Sequence, residues 1–324
     1  MRPIKDRIQN ICQLLRTKGY GKTVGMRAVA VLLATVHLLS FGTLFKAEPP
    51  TQTVATEDML SMCANKDRLP ERLQTAYDTF YARILDYECF TVDFQNEEFS
   101  YDDFYIVMRA LRDDHPELWL YLDSDESIYD DLYNGNHRFI KVFYGYLWIS
   151  NRIVDALPFS PKLMDAYINR IDHVCDQIVR KMPDSLTNLQ KYRYLAKALC
   201  DMTIYMDKDY NDAEDPLQLS TWAYCYANGP LLKGEGLCQA YAQAYQWLCH
   251  RAGLACVCVD SDEIVHTWNL VQLENGETYH VDVTWSDGGL FDEWFMMTQE
   301  EVKYDHFPNA DCFVATGKPL ISKE

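Results

Sequence analysis

A chain of 324 residues that is 48% hydrophobic and 13% aromatic, with 14 Gly and 12 Pro, can bury one large or two modest cores and is not a disordered or fibrous protein. Its net charge of −18 is unevenly spread: residues 1–27 hold seven Lys/Arg and one acid, a balance of +6, so the remainder must sum to −24. An acidic body of that size argues against nucleic acid as a partner.

Residues 28–45, AVAVLLATVHLLSFGTLF, form a run of 18 without a charge, with His37 its strongly polar member. The length suits the low edge of a membrane-spanning helix, and the basic flank keeps the N-terminal end in the cytoplasm. Ser40-Phe-Gly42 also makes a passable cleavage site, so the segment reads as a signal anchor or as a removed signal peptide. Either way the body is expected outside the cytoplasm, membrane-anchored or secreted. Ten of the eleven cysteines follow this segment, with no framework spacing and no CxxC pair. Most are read as reduced, buried, small hydrophobes, which implies a weakly oxidising environment.

Residues 46–65, with Pro49-Pro50, read as a linker, and 66–185 as a mainly helical N-terminal region. Its elements are a helix over 66–90, repeating Leu73, Tyr77, Tyr81 and Leu85, and a short strand in Phe90-Thr-Val-Asp-Phe94. A helix over 101–112 follows, stopping before His115-Pro116. The amphipathic helix over 161–182 aligns Met164, Ile168, Ile171, Cys175 and Ile178. A further helix over about 188–205 turns Leu195, Leu199 and Met202 inward. Asp207-Lys-Asp-Tyr-Asn211 begins like a calcium loop, but Asp212 stands where glycine is needed and Gln218 where a bidentate glutamate belongs, so it reads as a solvated acidic loop.

The stretch GEGLCQAYAQAYQWLC, residues 234–249, sets two glycines and Cys238 at the mouth of a helix. Tyr241, Ala244, Tyr245 and Leu248 share one face, and Gly253 stands where a helix-ending glycine belongs. A cysteine in the first turn meets unpaired backbone N–H groups and the positive end of the helix dipole, both of which stabilise a thiolate. Beyond it the period changes to two: LACVCVD (254–260), IVHTWNLVQL (264–273) and TYHVDVTW (278–285) read as strands. Cys256 and Cys258 point the same way along the first, as core filling.

A thiol nucleophile needs an imidazole to take its proton and an acceptor to hold that imidazole; His266 and Asp282 are the candidates. They serve only if they leave the same face of the sheet. A two-residue loop at Asn275-Gly276 places Asp282 on the wrong face. A three-residue loop, Glu274-Asn-Gly276, pairs Leu273 with Glu277 and sets Asp282 opposite Trp268 and His266 opposite Thr284. The diagonal is then about 7–8 Å between backbones, within reach of the two side chains. Gly276 suits the left-handed last position of such a loop. Val281, Val283, Val265 and Val271 would collect on the opposite, core-like face.

The three segments Cys238-Gln-Ala-Tyr-Ala, His266-Thr-Trp-Asn and Val281-Asp-Val-Thr-Trp285 resemble the motifs of the transglutaminase-like superfamily. The resemblance looks closest to the exported bacterial transglutaminase/protease-like domain of the cytokinesis-protein type. It implies an α+β, papain-like core, a cysteine-bearing helix packed on an antiparallel sheet, over residues 186–315. Carried over, Cys238 is the nucleophile, His266 the base and acid, and Asp282 the orienting carboxylate. Two positions depart from the pattern. Ala240 stands where glycine is usual and would crowd the backbone beside the nucleophile. Asn228 stands where relatives carry an aromatic, and could donate to an oxyanion or form a turn.

The expected activity is acyl transfer on carboxamide or peptide bonds through a thioester acyl-enzyme. Hydrolysis by the same triad, as a cysteine peptidase or amidase, is one alternative; an inactive surface scaffold is the other. The expected partners are an extracellular protein or peptide substrate and, through the N-terminal segment, a membrane. No cofactor and no metal is expected: His280 shares the Asp282 face but has no further ligands near it in sequence, and neither phosphate-loop nor zinc-binding spacing occurs.

Overall fold

The structure, a computed structural model, describes residues 65–323 apart from 87–89, 94–98, 122–127, 131–136, 141–146, 150–151, 155–160, 207–224 and 311. The basic leader, the apolar segment 28–45, the linker up to residue 64 and the acidic loop at 207–211 lie outside the described residues. Among the described residues no helix is long and apolar enough to cross a membrane.

Helices α1 (Asn65–Arg68) and α2 (Glu71–Leu85) lead to strand β1 (Phe90–Asp93), then α3 (Tyr101–Asp114) and α4 (Leu118–Tyr121). Four short strands follow: β2 (Ile128–Asp130), β3 (His137–Ile140), β4 (Leu147–Ile149) and β5 (Arg152–Val154). The region read as mainly helical thus also carries an antiparallel sheet in the order β1-β3-β2 and a separate β4-β5 pair. Helices α5 (Pro161–Val179) and α6 (Asn188–Met202) precede β6 (Ile204–Tyr205), a π-helical turn (Gly229–Lys233) and β7 (Glu235–Gly236). Then come α7 (Cys238–Arg251), the strands β8 (Cys256–Ser261), β9 (His266–Gln272) and β10 (Thr278–Val281), and the short helices α8 (Val283–Asp287) and α9 (Gln299–Val302). The whole is an α+β arrangement.

Sequence periods account for the helices, with one drift. Helix α2 buries Leu73, Tyr77, Phe80 and Ile84, whereas Leu85, the last of the four-residue repeat, is exposed. A strict four-residue repeat turns off an α-helical face by about 40° per step, so the buried set must slip by one residue. Helix α5 buries Ile171 and Cys175 as expected. Helix α6 starts in a capping box, Thr187 accepting from the Gln190 N–H and Gln190 accepting from the Thr187 N–H.

Helix α7 is the central element. The expected single buried face is exceeded: Ala240 to Cys249 are all buried, because the sheet, α5 and α6 surround the helix. Its C-terminus closes in a Schellman motif, with Gly253 at φ 70° and the Leu254 and Gly253 N–H groups donating to the Cys249 and His250 carbonyls. Polar residues tie it to the N-terminal region: Trp119 Nε1 donates to Gln246 Oε1, and Gln246 Nε2 to the Arg112 and Asp113 carbonyls. Buried apolar side chains from Leu69 to Met296 join in one cluster.

The three-stranded antiparallel sheet runs β10-β9-β8. One face (Cys256, Val271, Tyr279 and Val281) joins the main core, and the other (Val257, Val259, Trp268 and Leu270) is covered by Cys312 and Ala315. The eight described cysteines from Cys175 to Cys312 are free thiols.

Candidate active site

Cys238 opens α7, and the segment before it explains how. Leu237 caps the helix in an extended conformation without a side-chain bond, which leaves the first-turn N–H groups unclaimed by a cap. Gly234 lies at φ 76°, and a Cβ there would stand 2.9 Å from the Met202 carbonyl. A Cβ on Gly236 would meet Pro230 Cγ at 2.8 Å and Ala240 Cβ at 3.0 Å. The crowding expected from Ala240 is therefore absorbed: its methyl fills the space that Gly236 leaves.

His266 opens β9, and the β9–β10 register decides what it faces. Thr278 pairs with Gln272 and Val281 with Asn269; the Leu273 N–H donates to the Glu277 carbonyl, and Gly276 lies at φ 83°. This is the three-residue loop read from the sequence. The strand, however, ends at Val281 instead of reaching Trp285. Asp282 becomes the N-cap of α8, its Oδ1 accepting the Trp285 N–H at 3.0 Å. No His266–Thr284 pair forms, and Val265, expected in the core, is 85% exposed in the turn before His266.

The three sequence-predicted residues come together. His266 Nε2 lies 2.7 Å from Asp282 Oδ2, and Cys238 is near enough to the His266 ring for each to shift the other's pKa. Asp282 is fully buried, His266 nearly so and Cys238 half-buried. Burial pushes the Cys238 thiol up, but the hydrogen bond and charge of His266, with the Thr267 N–H, bring its pKa below the ordinary value. Burial likewise opposes charge on His266, and the Asp282 carboxylate with its hydrogen bond overrides it, pushing the imidazole up to about 10. Asp282 is held well below the carboxylate range: burial opposes its charge, and His266 and His306 prevail. The site thus favours a thiolate–imidazolium pair.

One residue at this site escaped the sequence reading. His306 Nε2 lies 3.1 Å from the same Asp282 Oδ2, and its Nδ1 lies 2.7 Å from Asp305 Oδ1. Around the two imidazoles stand Trp268, Trp285 and Trp294. Nothing periodic announces His306, since Lys303-Tyr-Asp-His-Phe307 carries no motif. His280 takes a different part. Trp268 Nε1 donates to its Nδ1, which leaves Nε2–H for Gln299 Oε1. Burial lowers its pKa to about 4, so the ring is neutral. Asn228 is buried before the π-helical turn, and its Oδ1 has no partner among the described residues.

Among the described residues, His266, Asp282 and His306 form the one group of three whose donor atoms, within 4.8 Å of one another, could close on a metal ion. Those atoms already make the hydrogen bonds to the carboxylate, and the donor distances of 2.7 and 3.1 Å are ordinary hydrogen-bond lengths.

No family model and no curated protein matches the chain. A solved structure described as "Crystal structure of a TGase" is similar over 40% of this chain and 35% of its own, at 13% identity and a TM-score of 0.31. The similarity thus spans about a third of that chain's length.

Proposed function

We propose that the protein is a thiol enzyme with a papain-like core, acting on carboxamide or peptide bonds by transglutaminase-like acyl transfer. The observation that supports it most is the setting of His266: its Nε2 lies 2.7 Å from the buried Asp282, and the ring neighbours Cys238 and lowers its pKa. In this reading the Cys238 thiolate attacks the carbonyl carbon, forming a C–S bond while the carbonyl π electrons move to oxygen. Unclaimed N–H groups in the first turn of α7 receive that oxyanion. Collapse breaks the C–N bond, and His266 gives its proton to the departing amine. A second amine, losing its proton to His266, then takes the acyl group from sulfur. Water in place of that amine gives hydrolysis by the same steps. The segment 28–45 would hold the enzyme at the outer face of a membrane.

Iodoacetamide labelling of the full chain across pH, with mass spectrometry locating the modified thiol, tests the reading. Cys238 is expected to label selectively, with an apparent pKa well below the free-thiol value of about 8.5. His266→Ala should slow that labelling at pH 6 by about 10–100-fold, one factor of ten per unit of restored thiol pKa. Labelling of Cys238 no faster than that of Cys200 or Cys225 would count against the enzyme.

A further inference from the structure

The Asp282 carboxylate has two imidazoles on one oxygen: His266 Nε2 at 2.7 Å and His306 Nε2 at 3.1 Å, both on Oδ2. A triad needs the first, and nothing in the chemistry of a triad asks for the second. We propose that His306 is a positioning residue for this site: tied by Nδ1 to Asp305 and by Nε2 to Asp282, its ring fixes the carboxylate where His266 uses it. The inference rests on the reading of Cys238 and His266 as a reactive pair.

Three features carry it. His306 is fully buried, and both its polar neighbours are carboxylates, which only accept when ionised. Both ring nitrogens must then donate, so the ring is an imidazolium. Its surroundings suit a cation: the Trp285, Trp268 and Trp294 rings stand 4.4, 4.9 and 5.6 Å from it, centre to centre. Burial opposes the charge, and the bonds to Asp282 and Asp305 overcome it, raising the ring above the ordinary imidazole value.

The charge has a consequence for the thiol. The titratable groups around His306 are Asp282, Asp305, His266 and the neutral His280, with Cys238 beyond His266. Asp282 raises the Cys238 pKa through its negative charge, and the His306 imidazolium offsets that charge. The second histidine therefore lets the carboxylate hold His266 without repelling the thiolate.

The experiment compares the pH dependence of Cys238 alkylation in the full chain and in His306→Phe and His306→Gln. In His306→Phe the acid arm should move up by about one pH unit, about tenfold in rate at a fixed pH on that arm, with the plateau retained. His306→Gln keeps an N–H donor for Asp282 and should move it less. An unmoved arm, with thermal stability or plateau rate lowered instead, overturns the proposal. Nitrogen-15 NMR of the wild-type imidazoles does not depend on any variant folding: His306 should hold both ring protons at pH 6.5, where an ordinary imidazole is about half titrated, and a singly protonated ring overturns the proposal. Wild-type Cys238 that labels no faster than Cys200 brings down the enzyme reading itself, and with it this role. An activated wild-type pair with an unmoved variant arm brings down the role of His306 alone.

Discussion

Gly236 and Ala240 divide one space beside Cys238: the methyl of Ala240 sits 3.0 Å from where a Cβ on Gly236 would be. Gly236→Ala should therefore cost about 1–3 kcal/mol, as overpacking in a tight interior does. In Gly236→Ala/Ala240→Gly the loss should be smaller than the sum of the two single losses, because the pair shares its contact. Urea unfolding midpoints of the four proteins measure this; simple additivity would mean the two residues do not compete. At this scale the sequence disclosed unequal amounts. Cys238, His266 and Asp282 each stand in a motif, and the turn chemistry foretold the register that brings His266 to Asp282. His306 was not. It reaches Asp282 only after the chain has folded back through Met296 at φ 54°, with Phe307 at φ 49° just beyond it, and no local period or propensity encodes such non-glycine turns.

Two turns frame β9, and both hold a residue at positive φ, with opposite residue choices. Gly276, at φ 83°, has nothing within 4 Å of a would-be Cβ. Gly276→Ala thus meets backbone strain without a clash, and should cost about 1 kcal/mol. Val265 holds φ 50° with a β-branched side chain that is 85% exposed. Its strain of about 1–2 kcal/mol exceeds the entropy a glycine loses, so Val265→Gly should gain roughly 0.5–1 kcal/mol. Thermal unfolding of the two variants should shift in opposite directions, and a shift of the same sign would refute the argument. The Gly276 turn could be read ahead of time, since Asn-Gly is a strong local signal; the Val265 turn could not, since valine forecasts a strand. The early end of β10 has a similar cause. Alternation in Val281-Asp-Val-Thr-Trp285 resembles a strand, but an aspartate that caps a helix is a competing local preference, and here the cap prevails. Strands of three or four residues such as β2 to β5 carry too little alternation to be recognised.

Across the molecule, buried ionisable groups set how stability follows pH. His266 has a folded-state pKa of about 10, above the unfolded value of about 6.5. Its contribution is complete below pH 6.5 and is lost as pH rises through 10. Asp113, raised to about 7 by burial first and by neighbouring Asp114 and Asp260 against Arg109, stabilises in acid and loses that contribution as pH rises from about 4 to 7. His280, lowered to about 4 by burial, has the opposite sign: its contribution is present above 6.5 and is lost as pH falls through 4. Asp282 and Asp103, both depressed, add stability above the ordinary carboxylate value that is lost in stronger acid. The wild type should show a broad maximum between about pH 4 and 7, falling on both sides. Asp113→Asn should be more stable than wild type at pH 8, by up to about 4 kcal/mol, with the advantage gone near pH 4. Urea midpoints at the two pH values check it; an equal gain at both would place the effect in packing and not in charge.

The order of the site along the chain has a consequence in time. Cys238 is made first; His266, Asp282 and His306 follow it by 28, 44 and 68 residues. Until β9 has docked against α7, the thiol has no imidazole beside it, and at neutral pH it is mostly protonated, with a pKa of about 8.5. A chain still being synthesised therefore carries an ordinary cysteine. Any activation of that thiol by His266 waits on folding.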